Sequence, residues 1–479
     1  MAMSVGMGTS VEFFSNEFSE LNLNDKRLVE RAKSIMVGLQ ENLGSCIRRV
    51  FIDKNKARQA YDFLSNPKVS SEKIMEPHYQ QTVERIGQSD AKYILAIQDG
   101  MRLNYTKHEA KKGIGRIGKS GNSEQRGLIQ HSTLCVTDKN EPLGIIDIQH
   151  FHYDEVDTTI HANHRALEDK ANRCWVNALK NMRERVGNTE KKIITVTDRE
   201  GDFYEFIHPL IEENEDFVIR AKHNRRTGEN QKDHGAKLWT LLDQAPIFGN
   251  CEVTIQDVNT RELKTITLEL KALEVTFPVP NRSKEEQKIK EEEGYKPITV
   301  NVVKAYNNEY EWVLLTSLKT ETLEQLKEVV NIYRSRWHIE NYHKVLKTGY
   351  QVDEIYLHSS RQAIENLLVM TSISACRLYW LIYQGRVEAN IKADKIFEEF
   401  EWKAIYVYFK EPIPDEVPVL SEVILKIARL GGYKPKKGAK EPGIKTMWIG
   451  FQKFTIVAEA FRNTRDQITN EKTVHNRST

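Results

Sequence analysis

In residues 22–90 the apolar positions recur with helical spacing. Between Asn24 and Leu43 they fall at positions 28, 32, 35, 36 and 39, which places their side chains on one face of an α-helix. Asp25 is suited to cap the start of this helix. Two further helical patterns follow, one that stops at Asn66-Pro67 and one that begins after Ser70. The pattern therefore predicts a helical N-terminal region.

From about residue 91 short apolar runs replace the helical pattern. Runs of this kind, bounded by turn residues, are typical of β-strands. The predicted strands cover residues 91–99, 127–138, 142–153, 191–198 and 216–223, and the predicted helices cover 164–186 and 201–213. The order β-β-β-α-β-α-β predicts a meander of three strands that leads into βαβ units of an α/β core.

Between about residues 229 and 311 three segments alternate polar and apolar positions, with a charge-rich loop among them, which predicts a β-rich insertion of antiparallel strands. Beyond it, Thr322 and Gln325 have the spacing of a capping box that opens a helical region. Residues 365–385 predict an apolar helix, and the segment after about 390 is helical and basic. The predicted fold class is therefore α/β, with a β-rich insertion and helical regions at both ends.

Composition limits the classes of protein to which the chain belongs. Its 479 residues and 39% hydrophobic content suffice for two to four domains, and its net charge of +2 neither implies nor excludes binding to nucleic acid. The five cysteines are scattered without a CxxC pair, which indicates free thiols in a reducing compartment. We see no signal peptide and no apolar run of about 18 residues. We therefore expect no membrane partner and a location in the cytoplasm or at the bacterial nucleoid.

Two acidic residues stand at the carboxyl ends of predicted strands. Asp99 closes the run "YILAIQD", and Asp198 closes "IITVTD". In open α/β sheets this edge is where binding sites form. The alternative is that each aspartate is a helix cap or a turn residue.

A third acid lies in the stretch "YRSRWHIENYHKVLKTG", from Tyr333 to Gly349. Counted at about 100° per residue, the angles on an ideal helix are about 0° for Tyr333, 300° for Arg336, 340° for Glu340 and 320° for Lys347. The spacing predicts that these four side chains share one narrow face. The alternative is a solvated charged face with internal ion pairs.

Three carboxylates brought close together repel one another and require cations. Hard oxygen ligands without thiolates suit Mg²⁺, for which Mn²⁺ substitutes. Two such ions stabilise the attacking and leaving oxygens of an in-line phosphoryl transfer. On the same face, Arg336 and Lys347 are suited to hold a polyanion, and Tyr333 to contact a phosphate or stack on a base.

The spacing Y-x2-R-x3-E-x6-K resembles the signature of the insertion-sequence-four family of DDE transposases. The contexts of the two aspartates, "AIQDGMRLNY" and "TDREGDFYEF", resemble the same family, as does "LNDKRLVERA" near the N-terminus. The resemblance implies a ribonuclease-H-like catalytic core with a β-rich insertion. It also implies a helical DNA-binding domain over residues 1–75, a core over 76–375 and a helical dimerisation region over 376–479.

The resemblance implies cut-and-paste transposition with Asp99, Asp198 and Glu340 as the catalytic metal ligands. A homodimer would bridge two double-stranded transposon ends with inverted repeats, nick each end, form and open a hairpin, and join the 3′-OH ends to target DNA. The residues implied to bind DNA are Tyr333, Arg336 and Lys347 at the terminal phosphates, Trp312 and Arg220 at a flipped base, and Arg27 and Arg31 near the N-terminus.

Other interpretations of the sequence remain open. The chain would also fit a non-catalytic DNA-binding relative or an inhibitor of transposition, or a structure-selective nuclease on the same core. Residues Gly113–Gly118 match GxGxxG but lack the strand and helix that a dinucleotide site requires, so we interpret them as a flexible connection between strands that carries basic residues. The histidines at positions 150, 152, 161 and 164 match no standard zinc spacing.

Overall fold

The computed structural model describes the backbone from residue 9 to residue 475 and side chains to residue 467. Residues outside the description within this span are 45, 52, 109, 119–122, 156–169, 188, 229–234, 257–262, 281–287, 289, 291, 293, 355–359, 388–390 and 435–441. His161 and His164, two of the histidines considered for zinc, lie outside the described residues.

The N-terminal region is helical, as predicted. Its helices are α1 (Ser10–Glu17), α2 (Lys26–Glu41), α3 (Ile47–Val50), α4 (Lys54–Leu64) and α5 (Ser71–Gln88). The Asp25 side chain accepts the N–H of Arg27 and caps α2, as predicted. Pro67 follows the end of α4, in agreement with the predicted stop.

One ten-stranded sheet runs through the middle of the chain. Its strands are β1 (Ile94–Asn104), β2 (Gly115–Arg116), β3 (Arg126–Thr137), β4 (Pro142–Phe151), β5 (Ile193–Thr197), β6 (Asp216–Arg220), β7 (Ile247–Gln256), β8 (Leu263–Phe277), β9 (Ile298–Tyr306) and β10 (Glu311–Thr316). The order is β2-β3-β1-β5-β6-β10-β9-β8-β7, with β4 paired to β3. The β1–β5 and β5–β6 pairs are parallel and the other pairs are antiparallel. The predicted meander is confirmed, and the insertion strands extend the same sheet.

The remaining helices include those that pack on the two faces of this sheet and those of the C-terminal region. They are α6 (Arg173–Val186), α7 (Tyr204–Glu212), α8 (Leu238–Gln244), α9 (Leu323–Arg334), α10 (Trp337–Lys344), α11 (Arg361–Gln384), α12 (Glu399–Tyr408), α13 (Leu420–Leu430) and α14 (Ile444–His475). In β1, Leu95 and Ile97 belong to the core that includes α10 and α11, whereas Ile94 and Ala96 belong to the core that includes α6 and α7, since successive strand residues face opposite sides. This is a mixed α/β core between helical ends, consistent with a ribonuclease-H-like fold.

One predicted helix starts later in the described residues, and two predicted domain boundaries lie within helices. In the described residues the helix predicted for 164–186 begins at Arg173. The predicted domain boundaries near 75 and 375 lie inside α5 and α11, and the division into three domains stays a prediction. Within the described residues, the helices are all too short or too polar to cross a membrane.

An acidic cluster lies where α2 meets the C-terminal helices. The pKa of Glu41 is raised to about 7, first by burial and then by the charges of Glu459 and Glu401. The folded state therefore favours the protonated form of Glu41. At pH values above 7 Glu41 is ionised, and this lowers the free energy of unfolding.

We expect Glu41→Gln to raise the free energy of unfolding at pH 8 by roughly 1 to 3 kcal/mol. The gain should shrink as the pH falls through 7 and vanish near the ordinary carboxyl value of 4.5, where the unfolded chain also binds the proton. Urea unfolding at pH 8 and at pH 4.5 measures the change. Glu30→Gln, on the exposed side of α2, is the matched control and should change little. An equal gain at both pH values would rule out ionisation as the cause.

Candidate active site

The register of two parallel strands places Asp99 beside Asp198. β1 and β5 pair from Ile94 with Ile193 to Gln98 with Thr197, and the two aspartates follow directly. The next parallel strand, β6, reaches the same level at Arg220, because Ile219 pairs with Thr197. The carboxyl edge of these three strands therefore presents two acids and one arginine in a row.

The prediction that Asp99 ends its strand is wrong. β1 continues to Asn104, because it keeps pairing with β3 after its parallel partner β5 has stopped. Asp99 lies opposite Ser132 in this antiparallel ladder. The apolar pattern ends at Gln98 because the parallel pairing of β1 with β5 ends there. The residues of β1 do not show that its antiparallel partner, β3, is longer than β5.

Asp198 is both a strand-end acid and a turn cap. Its Oδ1 accepts the N–H of Glu200 at 2.7 Å and closes a short 3₁₀ turn from Arg199 to Gly201. Asp198 therefore does act as a turn residue, the alternative that the sequence left open, and it uses one carboxylate oxygen to do so. This bond fixes the orientation of the carboxylate at the end of β5.

The stretch from Tyr333 to Gly349 is not one continuous α-helix, and that part of the prediction is wrong. Helix α9 ends at Arg334, α10 begins at Trp337, and a π-helical turn runs from Val345 to Gly349. The Ser335 hydroxyl donates to the carbonyl of Asn331 at 3.3 Å, a contact that bends helices. The predicted capping box of Thr322 and Gln325 at the start of α9 is confirmed.

Arg336 connects two of the acids. Its Nη1 lies 3.8 Å from Oδ2 of Asp99, and its Nη2 donates to Oε1 of Glu340. Its guanidinium carbon lies 5.8 Å from the centroid of the Tyr333 ring. The structure therefore brings Tyr333, Arg336 and Glu340 to the edge where Asp99 lies, as the predicted common face requires.

The electrostatics of Asp99 reflect the neighbouring acids. Its pKa is raised to about 7, because burial and the charges of Asp198 and Glu340 outweigh the lowering effect of Arg336 and the N–H of Gly100. A cation removes this kind of repulsion, and three carboxylates are the oxygen donors that suit a hard divalent ion. Within the described residues, no three side chains of this kind are gathered tightly enough to enclose an ion as they stand, and Arg336 lies between Asp99 and Glu340. The donor chemistry therefore fits a divalent ion once Arg336 turns away.

Three family models match the chain. "Transposase DNA-binding" matches residues 10–69, "Transposase DDE domain" matches 158–376, and "Transposase Tn5 dimerisation domain" matches 373–470. The chain belongs to the DDE transposases. It is a transposon-five-like transposase, a DNA-cleaving enzyme of a class that uses divalent metal ions. The matched DDE segment contains Asp198 and Glu340, and Asp99 precedes it.

The DNA-binding region of the transposase carries the two N-terminal arginines. The Arg27 side chain is 92% exposed and lies 3.5 Å from Asp25 at the start of α2. One turn later, Arg31 donates to the amide oxygen of Gln59 on α4. Both line a groove between α2 and α4, together with Lys26, Ser34, Phe51 and Lys56. This groove is a basic surface of the transposase away from the acids.

Trp312 and Arg220 lie together at the start of β10. The centroids of the Trp312 and Tyr333 rings are 5.6 Å apart with an angle of 64° between the planes. Arg220 donates to the carbonyl oxygen of Glu311 at 3.1 Å. A path of side chains thus leads from Trp312 through Tyr333 to Arg336, and from there to Asp99 and Glu340.

The sequence interpretation missed one exposed aromatic side chain. Trp337 is 51% exposed at the start of α10, directly after Arg336. A tryptophan this exposed offers a surface on which a base can stack. The sequence did contain an indication of it, because Trp337 is a large aromatic residue inside a charged motif, one position after a residue of the predicted face.

Lys347 lies on the π-helical turn that follows α10. It is exposed there, and its charge lowers the pKa of Asp353 against the larger raising effect of burial.

The dimerisation region of the transposase presents exposed apolar side chains, among them Val407, Tyr408 and Ile456.

Two motifs that the sequence interpretation set aside have other contacts. Gly115 and Arg116 form the short strand β2. His150 shares a hydrogen bond of 3.0 Å with the Gln130 amide oxygen, and His152 lies 3.2 Å from Glu155. Burial lowers the pKa of His150 to about 3, and it then stays neutral.

Proposed function

We propose that the chain is a cut-and-paste transposase that binds inverted-repeat ends, nicks them, forms and opens a hairpin, and joins the 3′-OH ends to target DNA. The observation that carries this proposal is the Arg336 guanidinium between Asp99 and Glu340, at the edge where Asp99 and Asp198 are neighbours. A phosphate-binding cation and the acids are thus held at one place.

Asp99, Asp198 and Glu340 would hold the divalent ions, which we infer to be Mg²⁺ with Mn²⁺ as a substitute. When bound, such ions stabilise the attacking and leaving oxygens of a phosphoryl transfer. The protein orients the acids through the Glu200 N–H on Asp198 and the Gly100 N–H, 2.7 Å from Asp99. Arg336 exchanges its carboxylate partners for a phosphate when DNA binds, because a guanidinium binds either group in the same geometry.

Hairpin formation requires room for the terminal base of the uncut strand. Trp312, with Arg220 behind it and the Tyr333 ring at 5.6 Å, supplies an aromatic surface on which an extrahelical base stacks. Tyr333 and Lys347 contact the terminal phosphates in this proposal. A buried strand tryptophan with no ligand is the alternative, and the half-buried state of Trp312 favours the base-stacking role.

The reaction takes place in a homodimer that holds two ends. Arg27 and Arg31 contact the end duplex, and the C-terminal region joins the two protomers. Because both of its substrates are DNA, we infer that the enzyme acts in the cytoplasm, at the bacterial nucleoid.

A gel assay tests the proposed reaction. Duplexes from the genomic DNA that flanks the gene are incubated with the protein in Mg²⁺, in Mn²⁺ or in EDTA. We expect a nick followed by a hairpin in either metal and none in EDTA, and joining of the 3′ ends to an added plasmid. Cleavage without joining would favour a nuclease, and specific binding without cleavage would favour a non-catalytic relative.

We expect Lys347→Ala to weaken binding to the end duplex and to reduce the slope of log K against log salt by about one. The reason is the loss of one phosphate contact and its released counterion. Fluorescence anisotropy across a salt series measures both. Lys319→Ala is the matched control, because Lys319 is exposed on the loop after β10, at the opposite edge of the sheet. Equal slopes for wild type and Lys347→Ala would make Lys347 an ordinary surface residue.

A further inference from the structure

A buried carboxylate that the reaction does not use lies four residues after Asp198. The side chain of Asp202 is fully buried. Its Oδ2 accepts the backbone N–H groups of Lys222 at 2.5 Å and His223 at 2.9 Å. Its Oδ1 accepts from Nη1 of Arg225, whose Nη2 donates to the Asp202 carbonyl at 2.9 Å. Asp202 is therefore bound at every oxygen to one loop, residues 222–226.

This loop, which we call the basic loop, starts at the edge of the sheet that carries the acids. It follows the carboxyl end of β6, the parallel neighbour of β5. Lys222 and Arg226 are exposed on it, whereas Arg225 is turned inward over the Phe277 ring. Cationic side chains on a fixed backbone are suited to the phosphates of DNA.

Two further bonds fix the backbone of the basic loop. The Asn224 side chain accepts the N–H of Trp239 at 2.9 Å, and the Arg225 carbonyl accepts the N–H of Leu238 at 2.9 Å. These bonds tie the far side of the loop to α8. Asp202 supplies the tie on the side that faces the acids.

Asp202 lies in the short turn that begins at Asp198. The N–H of Gly201 donates to the Asp198 carbonyl at 3.2 Å, and that of Asp202 to the Arg199 carbonyl at 3.4 Å. A Cβ atom on Gly201 would lie 2.2 Å from Oγ1 of Thr197, so the turn packs directly against the end of β5. A displacement of Asp202 therefore moves the turn that orients Asp198.

We propose that Asp202 is a positioning residue that fixes the basic loop relative to Asp198, so that a DNA strand held by the loop meets the acids in register. The ligand of the loop is the phosphodiester backbone of double-stranded DNA, supplied either by the transposon end or by the target. The positional part of this inference rests on the proposed function, because it takes Asp198 as a metal ligand.

The test compares Asp202→Asn with a matched control, Asp147→Asn. Asp147 is also a buried aspartate, paired with Arg185 at 2.7 Å, but it lies on β4. In Asp202→Asn an amide nitrogen faces Arg225, while one oxygen remains for the loop backbone. Arg225→Gln is the second variant, used with the same measurements if Asp202→Asn does not fold, because it leaves both backbone bonds in place.

Each full-length variant is measured for thermal midpoint, for the salt dependence of binding to end and to unrelated duplexes in EDTA, and for nicking at saturating DNA. We expect both aspartate variants to lose thermal stability. Asp202→Asn alone should reduce the slope of log K against log salt by about one or two and slow saturated nicking by about 10²-fold. A slope change confined to end duplexes identifies the end as the ligand, and one confined to unrelated duplexes identifies the target.

The inference is overturned if Asp202→Asn matches Asp147→Asn in salt slope and in nicking rate. The binding measurement does not depend on cleavage, so the two proposals fail separately. If the wild type does not nick and Asp202→Asn still changes the salt slope, the proposed reaction fails and the loop contact stands. If the wild type nicks and the two variants behave alike, the reaction stands and the role of Asp202 fails.

Discussion

A transposase that carries Glu340→Gln should bind transposon ends as the wild type does and nick them at least about 10³-fold more slowly. Glutamine keeps the shape of the side chain and one oxygen for Arg336, so the contacts to DNA persist. It removes the negative charge that completes the three-acid set. The loss of a metal ligand removes several kcal/mol of transition-state stabilisation, which is where the large factor arises.

Binding and nicking are measured on the same end duplex, by anisotropy in EDTA and by single-turnover cleavage in Mg²⁺ and in Mn²⁺. Glu328→Gln is the matched control, because Glu328 lies one helix earlier, on α9, and pairs with Lys92 at 2.8 Å. Its cleavage rate should match the wild type. If Glu340→Gln cleaves at the wild-type rate, Glu340 is not a catalytic residue. Its role would then be limited to the structural contact with Arg336.

The second large effect concerns stability and lies far from the acids. Glu17, at the end of α1, is wholly buried and accepts from Nδ1 of His78 and Nη2 of Arg85, both on α5. His78 Nε2 accepts the backbone N–H of Ile145 at 3.0 Å, and this bond fixes the proton on Nδ1. Arg85 also donates to the carbonyl of Leu143 at 3.1 Å. The carboxylate thus links α1, α5 and β4.

We expect Glu17→Ala to lower the free energy of unfolding by about 3 to 5 kcal/mol, because it leaves the Arg85 charge buried without its partner. Urea unfolding measures the loss. Glu20→Ala, an exposed acid just after α1, is the matched control and should change the midpoint little. A loss for Glu17→Ala no larger than that of the control would mean that Arg85 finds another partner or water.

The pH dependence of this loss has a definite sign. Burial alone would raise the pKa of Glu17, but Arg85 and His78 outweigh it and hold the pKa below the ordinary value of 4.5. A lowered carboxyl pKa contributes stability that is fully present above the unfolded value and lost as the pH falls through the folded value. The difference between wild type and Glu17→Ala should therefore be constant from pH 7 to about 5 and shrink below 4.5.

The sequence by itself determined the local structure of the chain and the family to which it belongs. The Asp25 cap, the Thr322–Gln325 capping box and the alternation in β7–β9 are each set within a few residues, and each was confirmed. The spacing of Arg336 and Glu340 sufficed to bring these two side chains together, because four residues make about one helical turn. The resemblance to DDE transposases followed from such local motifs.

The tertiary structure alone decided how distant segments meet. Asp99 lies within a strand because its antiparallel partner is longer than its parallel one, and the motif helix breaks where Ser335 bonds back to Asn331. The tie between Asp202 and the basic loop spans 20 residues and that between Glu17 and His78 spans 61. Local periodicity records which face of an element is buried, but pairing between distant segments depends on the lengths and order of all the strands, and no short window of sequence contains them.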